Sequence, residues 1–502
     1  MSSGESLPAD GTERLEELVL ELDDLRFVDQ AGSPRASARA RLVHTSTTSG
    51  KREVNSETPW RFIDPIGAID RNEIHWYLEK YAVWPSTVFR DRAKKVEESL
   101  VQWGRLLHKE TMKWDLAQEV LVAWRNTDAH ANRRFSIEVN AALEHGASEA
   151  AVLAASECAT ILLGLPWELL HDGRSYLFQG AKPVLVRRRV PNTRAMDRAV
   201  VDTPIRILLV TARPEDEACS YIDHRASALP LIDAMETLGG SVQIHLLDPP
   251  TLPAMSDELA RARRNREPYH VVHFDGHGVY DRLAGLGALC FEKPEDAGRL
   301  ANRGHALVTT KALGPLLEDH RIPVVFLEAC QTATSEKASE SVASELLKVG
   351  VASVVAMSHS VLVETSRRFV EKFYDTLAAG QRVGEAMLAG QRALKDDTYR
   401  GRIFRVGELR LEDWFVPVLF QEVDDPQLFH AMPDRQAQDD LKTALAARLG
   451  ALPPPPQTGF IGRSRELLAL QRLLRQERNG RYAVIRGQGG EGKTALAVEL
   501  AR

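Results

Sequence analysis

The chain has 502 residues, 44% of them hydrophobic and 27% charged, with a formal net charge of −6. That length exceeds a single hydrophobic core and predicts two to four globular domains, while the acidic balance argues against a nucleic-acid or anionic-membrane footprint. No apolar leader or bilayer-length apolar run is present, and four cysteines (158, 219, 290 and 330) without paired spacing argue against a disulfide framework and against a zinc site, so the expectation is a reducing, cytoplasmic setting with no metal.

In chain order, residues 1–14 read as a loose tail. Leu18–Leu22 and Arg39–His44 cluster apolar residues as strands do, and from Asp70 to Lys109 the period becomes helical, with a break at Trp84-Pro85. Phe135–Val139 reads as a strand, and Leu165–Gly173 as a short helical turn closed by glycine. The runs Arg187–Arg189 and Arg261–Arg266 read as solvated faces. From about residue 201 to 430 the pattern is α/β. Strand-like runs fall at Ile205–Val210, Val242–Leu247, Val271–Phe274, Val324–Leu327 and Ala352–Met357, and helical stretches at Ala226–Leu238, Leu259–Arg266, Lys311–Leu317, Ser344–Lys348 and Ser366–Ala378 separate most of them. Such alternation predicts right-handed βαβ units and a largely parallel sheet. Leu286–Glu292 reads as an inserted hairpin strand, and Val416–Gln421 closes the block.

Two of those runs end in reactive residues. His-Val-Val-His-Phe-Asp-Gly-His-Gly at 270–278 brings His277 past its apolar core, and Val-Val-Phe-Leu-Glu-Ala-Cys-Gln at 324–331 does the same for Cys330. Parallel sheets place functional groups at the carboxyl ends of their strands, so neighbouring strands would bring an imidazole and a thiol to one edge. A histidine followed about fifty residues later by a cysteine in a Gln-Ala-Cys-like setting is the caspase order. Either residue alone reads as structural, since a strand-end cysteine is usually a small buried hydrophobe. Both at successive strand ends point to a catalytic dyad. His270 and His273, earlier on the same run, read as structural.

Beyond residue 431 the sequence changes. A polar-faced helix over 434–448 leads to Pro453–Pro456, an extended linker spanning 431–458 with that helix. The part from 459 to 502 opens with Phe460-Ile-Gly-Arg and a helix from Ser464 to about Glu477, then a strand at Tyr482–Arg486. Next comes Gly487-Gln-Gly-Gly-Glu-Gly-Lys-Thr, which matches G-x-x-x-x-G-K-[ST] and opens a helix over Ala495–Ala501. The backbone N–H groups around Gly487, Gly490 and Gly492 would cradle phosphates, with Lys493 reaching the β/γ-phosphates and Thr494 holding Mg²⁺. No Walker-B aspartate, sensor or lid follows before Arg502, so this reads as a severed half-site of something longer.

Residues 15–430 resemble the CHAT domain, a caspase-like protease family, through Trp76–Tyr81, Leu165–Gly173, Tyr269–Tyr280, Leu327–Ala333, Gly350–Met357 and the stretch from Phe373 to Ala386. The part after 459 resembles the opening of a STAND ATPase of the NB-ARC or NACHT kind. The resemblance implies a caspase-like α/β sheet flanked by helices, over 201–430, with an α+β extension over 15–200. It also implies a cysteine endopeptidase acting on protein substrates in a bacterial immune (antiviral) or signalling switch, self-associating through its ATPase module. No cofactor is expected for proteolysis; ATP and Mg²⁺ are expected in the full-length protein alone. The departure is Gln331-Thr332 after the cysteine, where caspases carry a glycine-bearing turn.

On this reading Cys330 attacks as thiolate, His277 protonates the leaving amine, and backbone N–H groups of Gly278 and Cys330 hold the oxyanion. Glu328 and Asp275 have two readings. Glu328 either pairs with an arginine inside the protein or, with Asp275 as a second acid, receives a cationic P1 side chain. Two other classes stand beside the protease: a catalytically silent caspase-fold scaffold, and a nucleotide-binding enzyme with an N-terminal adaptor.

Overall fold

The structure is a computed structural model that describes residues 14–30, 32–47, 52–56, 58–127, 131–143, 146–189, 200–202, 204–216, 219, 222, 232, 234, 238–281, 286–331, 338–403, 407–422, 425, 427–430, 452–453, 460, 462–475 and 483–501. The expected tail, the helix over 434–448, most of the helix over 226–238, Pro454–Pro456 and Thr332 lie outside the described residues. The chain divides into two compact units, Met1–Tyr77 with Val88–Val190, and Leu78–Thr87 with Pro191–Arg502.

In the first unit, β1 (Leu15–Gln30) and β2 (Ser33–Ser46) form a long antiparallel hairpin turning at Gly32, whose φ of +79° lies in the left-handed region that favours glycine. β3 (Arg52–Asn55) and β4 (Trp60–Ile63) pair with β2, while β5 (Asn132–Val139) runs parallel to β1 and β6 (Val184–Arg189) parallel to β5. The expected break in the helical stretch separates α1 (Ala68–His75), which continues as a π turn over Trp76–Tyr81, from α2 (Arg90–Thr111). The predicted stripe is the buried side of α2, formed by Val96, Leu100, Trp103 and Leu107. A Cβ on Gly104 would lie 2.0 Å from the Leu169 carbonyl oxygen, so the Leu165–Gly173 turn seats directly on α2. α3 (Gln118–Arg125) and α4 (Glu149–Leu163) complete the unit.

The Arg187–Arg189 run corrects the solvated reading. It lies in β6, and Arg187 and Arg188 are buried. Arg187 donates to Glu17 at 2.7 Å and to the Ser136 hydroxyl at 2.9 Å, and Arg188 pairs with buried Glu168. Burial alone would push the Glu17 carboxyl up, but the guanidinium of Arg187 and the Ser136 hydroxyl hold it below its ordinary value. Arginine enters a strand interior when a carboxylate meets it there, which a charge run in sequence does not reveal.

The second unit is a largely parallel sheet flanked by helices. β7 (Ile205–Thr211), β8 (Val242–Leu246), β9 (Val271–Asp281), β12 (Val324–Gln331) and β13 (Ser353–Met357) run parallel in the order β8-β7-β9-β12-β13, and β16 (Pro417–Gln421) pairs antiparallel with β13. These are the predicted β-branched runs, buried because helices cover the sheet. β10 (Leu286–Glu292) turns back on the far half of β9, and β11 (His305–Thr309) pairs with β10, so a hairpin extends the carboxyl end of the sheet. The helices are α5 (Leu252–Arg264), α6 (Thr310–Asp319), α7 (Ala338–Lys348), α8 (Val363–Ala378) and α9 (Val383–Asp396). Phe369, Phe373 and Tyr374 of α8 pack around Phe326 of β12. β14 (Tyr399–Ile403) and β15 (Gly407–Arg410) form a separate ribbon.

Two further helices, α10 (Ser464–Arg475) and α11 (Lys493–Ala501), belong to the same unit. The strand expected at Tyr482–Arg486 is not formed among its described residues, 483–486. Val484 is 65% exposed, and an apolar run becomes a strand by burying against a sheet neighbour, which this one lacks among the described residues. No helix among the described residues is long and apolar enough to cross a membrane.

Candidate active site

Strands β9 and β12 carry the two reactive residues, and their register decides the geometry. Val324 pairs with Val271, and the pairing runs on without a slip to Glu328 beside Asp275, Cys330 beside His277 and Gln331 beside Gly278. Adjacent parallel strands lie about 4.8 Å apart, so the backbone brings residues 277 and 330 side by side at the carboxyl edge. Both strands start their apolar run at the same level, which is why reactive ends that match in sequence also match in space. His277 is buried, at 3% exposure; the side chain of Cys330 lies outside the described residues. Gly278 occupies the row between Gln331 and Leu289 of β10.

One row back, the acids are engaged inside the protein. Asp275 forms an ion pair with Arg213, whose other nitrogen donates to the Asp275 and Ala212 carbonyls, each at 2.8 Å. Glu328 is buried, with His273 Nε2 3.4 Å away. That imidazole stacks on Phe326 with centroids 4.3 Å apart, and its Nδ1 lies 3.2 Å from the Tyr374 hydroxyl. Burial above all, and then the negative charge of Asp275, push the Glu328 carboxyl above its ordinary value despite the His273 contact. Of the two readings of Glu328, this geometry follows internal pairing, with a histidine and not an arginine as the partner. Asp275, read as a second acid for a cationic substrate side chain, already has its cation in Arg213.

Arg213 was not singled out from the sequence. It stands three residues past the apolar run Ile205–Val210, as His277 stands three past Val271–Phe274, so the strand-end rule that found the dyad would have found it. It belongs to a buried charge network. Arg213 N–H donates to Glu292 at 3.3 Å, Arg303 pairs with Glu292 at 2.6 Å, and Arg472 of α10 reaches Glu292 at 2.9 Å and Glu215 at 3.3 Å. Arg472 also donates to the carbonyls of Leu300 and Arg213. The helix that precedes the glycine-rich loop is thereby tied to the residue that holds Asp275.

In the loop itself, Gly490 and Gly492 adopt φ of +85° and +76°, the left-handed backbone for which glycine is suited, and a Cβ on either would meet nothing within 4 Å. Lys493 folds back to donate to the carbonyls of Gly487 at 2.9 Å and Gln488 at 2.5 Å, and opens α11, with Thr494 following.

The family model for the CHAT domain matches residues 125–433, which span β5 to β16 and include both His277 and Cys330. Among solved structures, the separase of Saccharomyces cerevisiae in its complex with securin is similar at 10% identity and a TM-score of 0.36, over 81% of this chain and 30% of that one. A second structure of that complex gives 8% identity and a TM-score of 0.36, over 82% and 30%. A structure described as a protease gives 10% identity and a TM-score of 0.34, over 67% of this chain and 70% of that one. The chain spans less than a third of the separase it matches. No curated protein sequence matches it.

Proposed function

Because the chain belongs to the CHAT-domain family of caspase-like proteases, we propose that it is a cysteine endopeptidase whose dyad is His277 and Cys330. The observation that carries this reading is the unslipped β9–β12 register, which sets residues 277 and 330 side by side at the sheet's carboxyl edge. Cys330 as thiolate attacks the scissile carbonyl carbon, forming a C–S bond and an oxyanion that the backbone N–H groups of Gly278 and Cys330 stabilise. His277 gives its proton to the departing amine as the C–N bond breaks. Water, deprotonated by the same imidazole, then hydrolyses the thioester and restores the thiol. Neither Glu328 nor Asp275 is given a substrate role, since both are engaged inside the protein.

We further propose that residues 459–502 belong to a nucleotide switch of the STAND kind that controls this protease, with proteolysis as the output of an immune or signalling response. Gly487, Gly490, Gly492 and Lys493 would hold the phosphates of ATP, and Thr494 its Mg²⁺; the bound nucleotide would supply the energy difference between switch states. Support comes from the left-handed glycines and from Arg472, which inserts α10 into the network around Arg213 and Glu292. In the full-length protein, Lys493→Ala is expected to block activation while leaving reactivity of Cys330 toward a thiol alkylator intact.

The test of the protease reading is cleavage of a peptide library by the purified chain and by its Cys330→Ala variant, with alkylation of Cys330 as a second arm. Loss of cleavage in both arms supports the dyad. Undiminished cleavage by Cys330→Ala would sink it, and signalling that survives capping of Cys330 would favour the scaffold.

A further inference from the structure

A second cysteine–histidine group lies on the other side of β9, and no step of proteolysis uses it. Asp216 and Cys219 sit in the loop after β7, Cys290 in β10, and His305 at the start of β11. One ligand atom each from Asp216, Cys219 and His305 lie within 4.8 Å of one another. The Cys219 and Cys290 thiols are within hydrogen-bonding reach, and both residues are buried, at 7% and 0% exposure. The loop is held there by its backbone. Glu215 N–H donates to the Arg303 carbonyl at 2.8 Å, and Asp216 accepts the His305 backbone N–H at 2.7 Å while its carboxylate lies 2.5 Å from His305 Nδ1.

We propose that Asp216, Cys219, Cys290 and His305 form a structural zinc site that pins the β7 loop to the β10–β11 hairpin beside His277. Asp216, Cys219 and His305 offer a carboxylate oxygen, a sulfur and an imidazole nitrogen within 4.8 Å of one another, a donor set suited to Zn²⁺ with its ligand bonds of about 2.0–2.3 Å, and the Cys290 thiol beside Cys219 is the fourth donor this site would draw in. Four protein donors leave no open position, which marks a structural site. Cys290 is the register partner of His277, so the site would fix the strand row that carries the dyad. This inference does not depend on proteolysis, and it opposes the expectation of no metal, which rested on spacing alone.

The experiment is elemental analysis of the full chain, purified without chelator and freed of any tag. The expected result is about one zinc per chain. After stripping and refilling with Co²⁺, thiolate-to-metal charge-transfer and tetrahedral d–d bands are expected. Cys219→Ser, Cys290→Ser and His305→Ala should each lose most of the metal, whereas Cys158→Ser, in the first unit, and Cys330→Ala should keep it. Because a ligand variant may lose its fold, the cobalt titration of wild type stands as an independent arm. Metal-free, folded wild type without cobalt bands overturns the proposal. So does a Cys219–Cys290 disulfide found by intact mass analysis, or metal retained in folded variants of the four ligands.

Discussion

The two cysteine–histidine groups flanking β9 are built by different means. His277 and Cys330 are brought together by strand register alone, each at the end of an apolar run, with an alternation that sets residue type and position in step. The second group has no common pattern. Cys219 comes from an irregular loop, and Cys290 and His305 from two antiparallel strands, fixed by backbone hydrogen bonds that the sequence does not announce. Both hold buried members, His277 at 3% exposure and Cys219 at 7%; the first stands at the carboxyl edge of the parallel strands, and the second is bonded internally through Asp216 and His305. Proximity of a thiol to an imidazole therefore does not by itself make a catalytic pair.

The sharpest way to break this comparison is to ask which thiol is the nucleophile. Cys330→Ala and His277→Ala should each lower kcat/KM for peptide cleavage by on the order of 10⁴-fold or more, because each removes a member of a pair that acts as a unit. A peptidyl electrophile should modify Cys330, and peptide mapping should find Cys219 and Cys290 unlabelled in native protein. Labelling concentrated on Cys219 would exchange the two roles.

A smaller effect tests the coupling of α10 to the same sheet. Arg472 is buried against Glu215 and Glu292, and Arg472→Ala leaves Glu215 without that partner and Glu292 with the Arg303 ion pair and the Arg213 N–H. Removing one member of a buried ion pair costs about 3–5 kcal/mol. Denaturant unfolding of the 502-residue chain should show a loss of that order, and a loss below about 0.5 kcal/mol, as for ordinary surface substitutions, would show that Arg472 does not fasten the helix. In the first unit, Gly104→Ala is expected to cost about 1–3 kcal/mol by overpacking, because the new Cβ meets the Leu169 carbonyl and not a movable side chain.

Much of the second unit was legible because buried parallel strands announce themselves. Ile205–Val210, Val271–Phe274 and Val324–Leu327 are short β-branched runs whose ends name the site. What stayed hidden was assembled by pairing between distant residues. Arg187 and Arg188 looked like a solvated charge run until Glu17 and Glu168 met them inside the protein, 170 and 20 residues away. The Asp216 loop was passed over for the same reason, as was the partner of Glu328, His273. Strand periodicity gives the face on which a residue lies, but not which charge from another element will occupy the space beside it. The Val484 run shows the converse, an apolar alternation that formed no strand among its described residues without a neighbour to bury it.

The smallest expected effect separates chemistry from stability along β9, where three histidines follow one another. His270, at the strand's amino end, is largely buried; that burial, and then the charge of Arg206, lower its imidazole to about 4 from an ordinary 6.5. Its Nδ1 accepts the Arg206 backbone N–H at 3.1 Å, and its ring meets Phe429 edge-on at 5.3 Å, a setting that fits the neutral ring. The sign follows from linkage. Above pH 6.5 neither folded nor unfolded chain binds a proton at this site. Between 6.5 and about 4 the unfolded chain binds one that the folded chain refuses, so stability falls on acidification and levels off below about 4. His270→Asn, which keeps an acceptor near the Nδ1 position and does not titrate, should remove about 2 kcal/mol or less of that acid loss. The same substitution should leave the pH profile of kcat/KM in place, since in the proposed mechanism that profile is set by His277, seven residues further along the chain. Wild type and variant losing stability in parallel from pH 6.5 to 4 would show that His270 is not the group responsible, and a displaced kinetic profile would mean that the two ends of β9 are coupled.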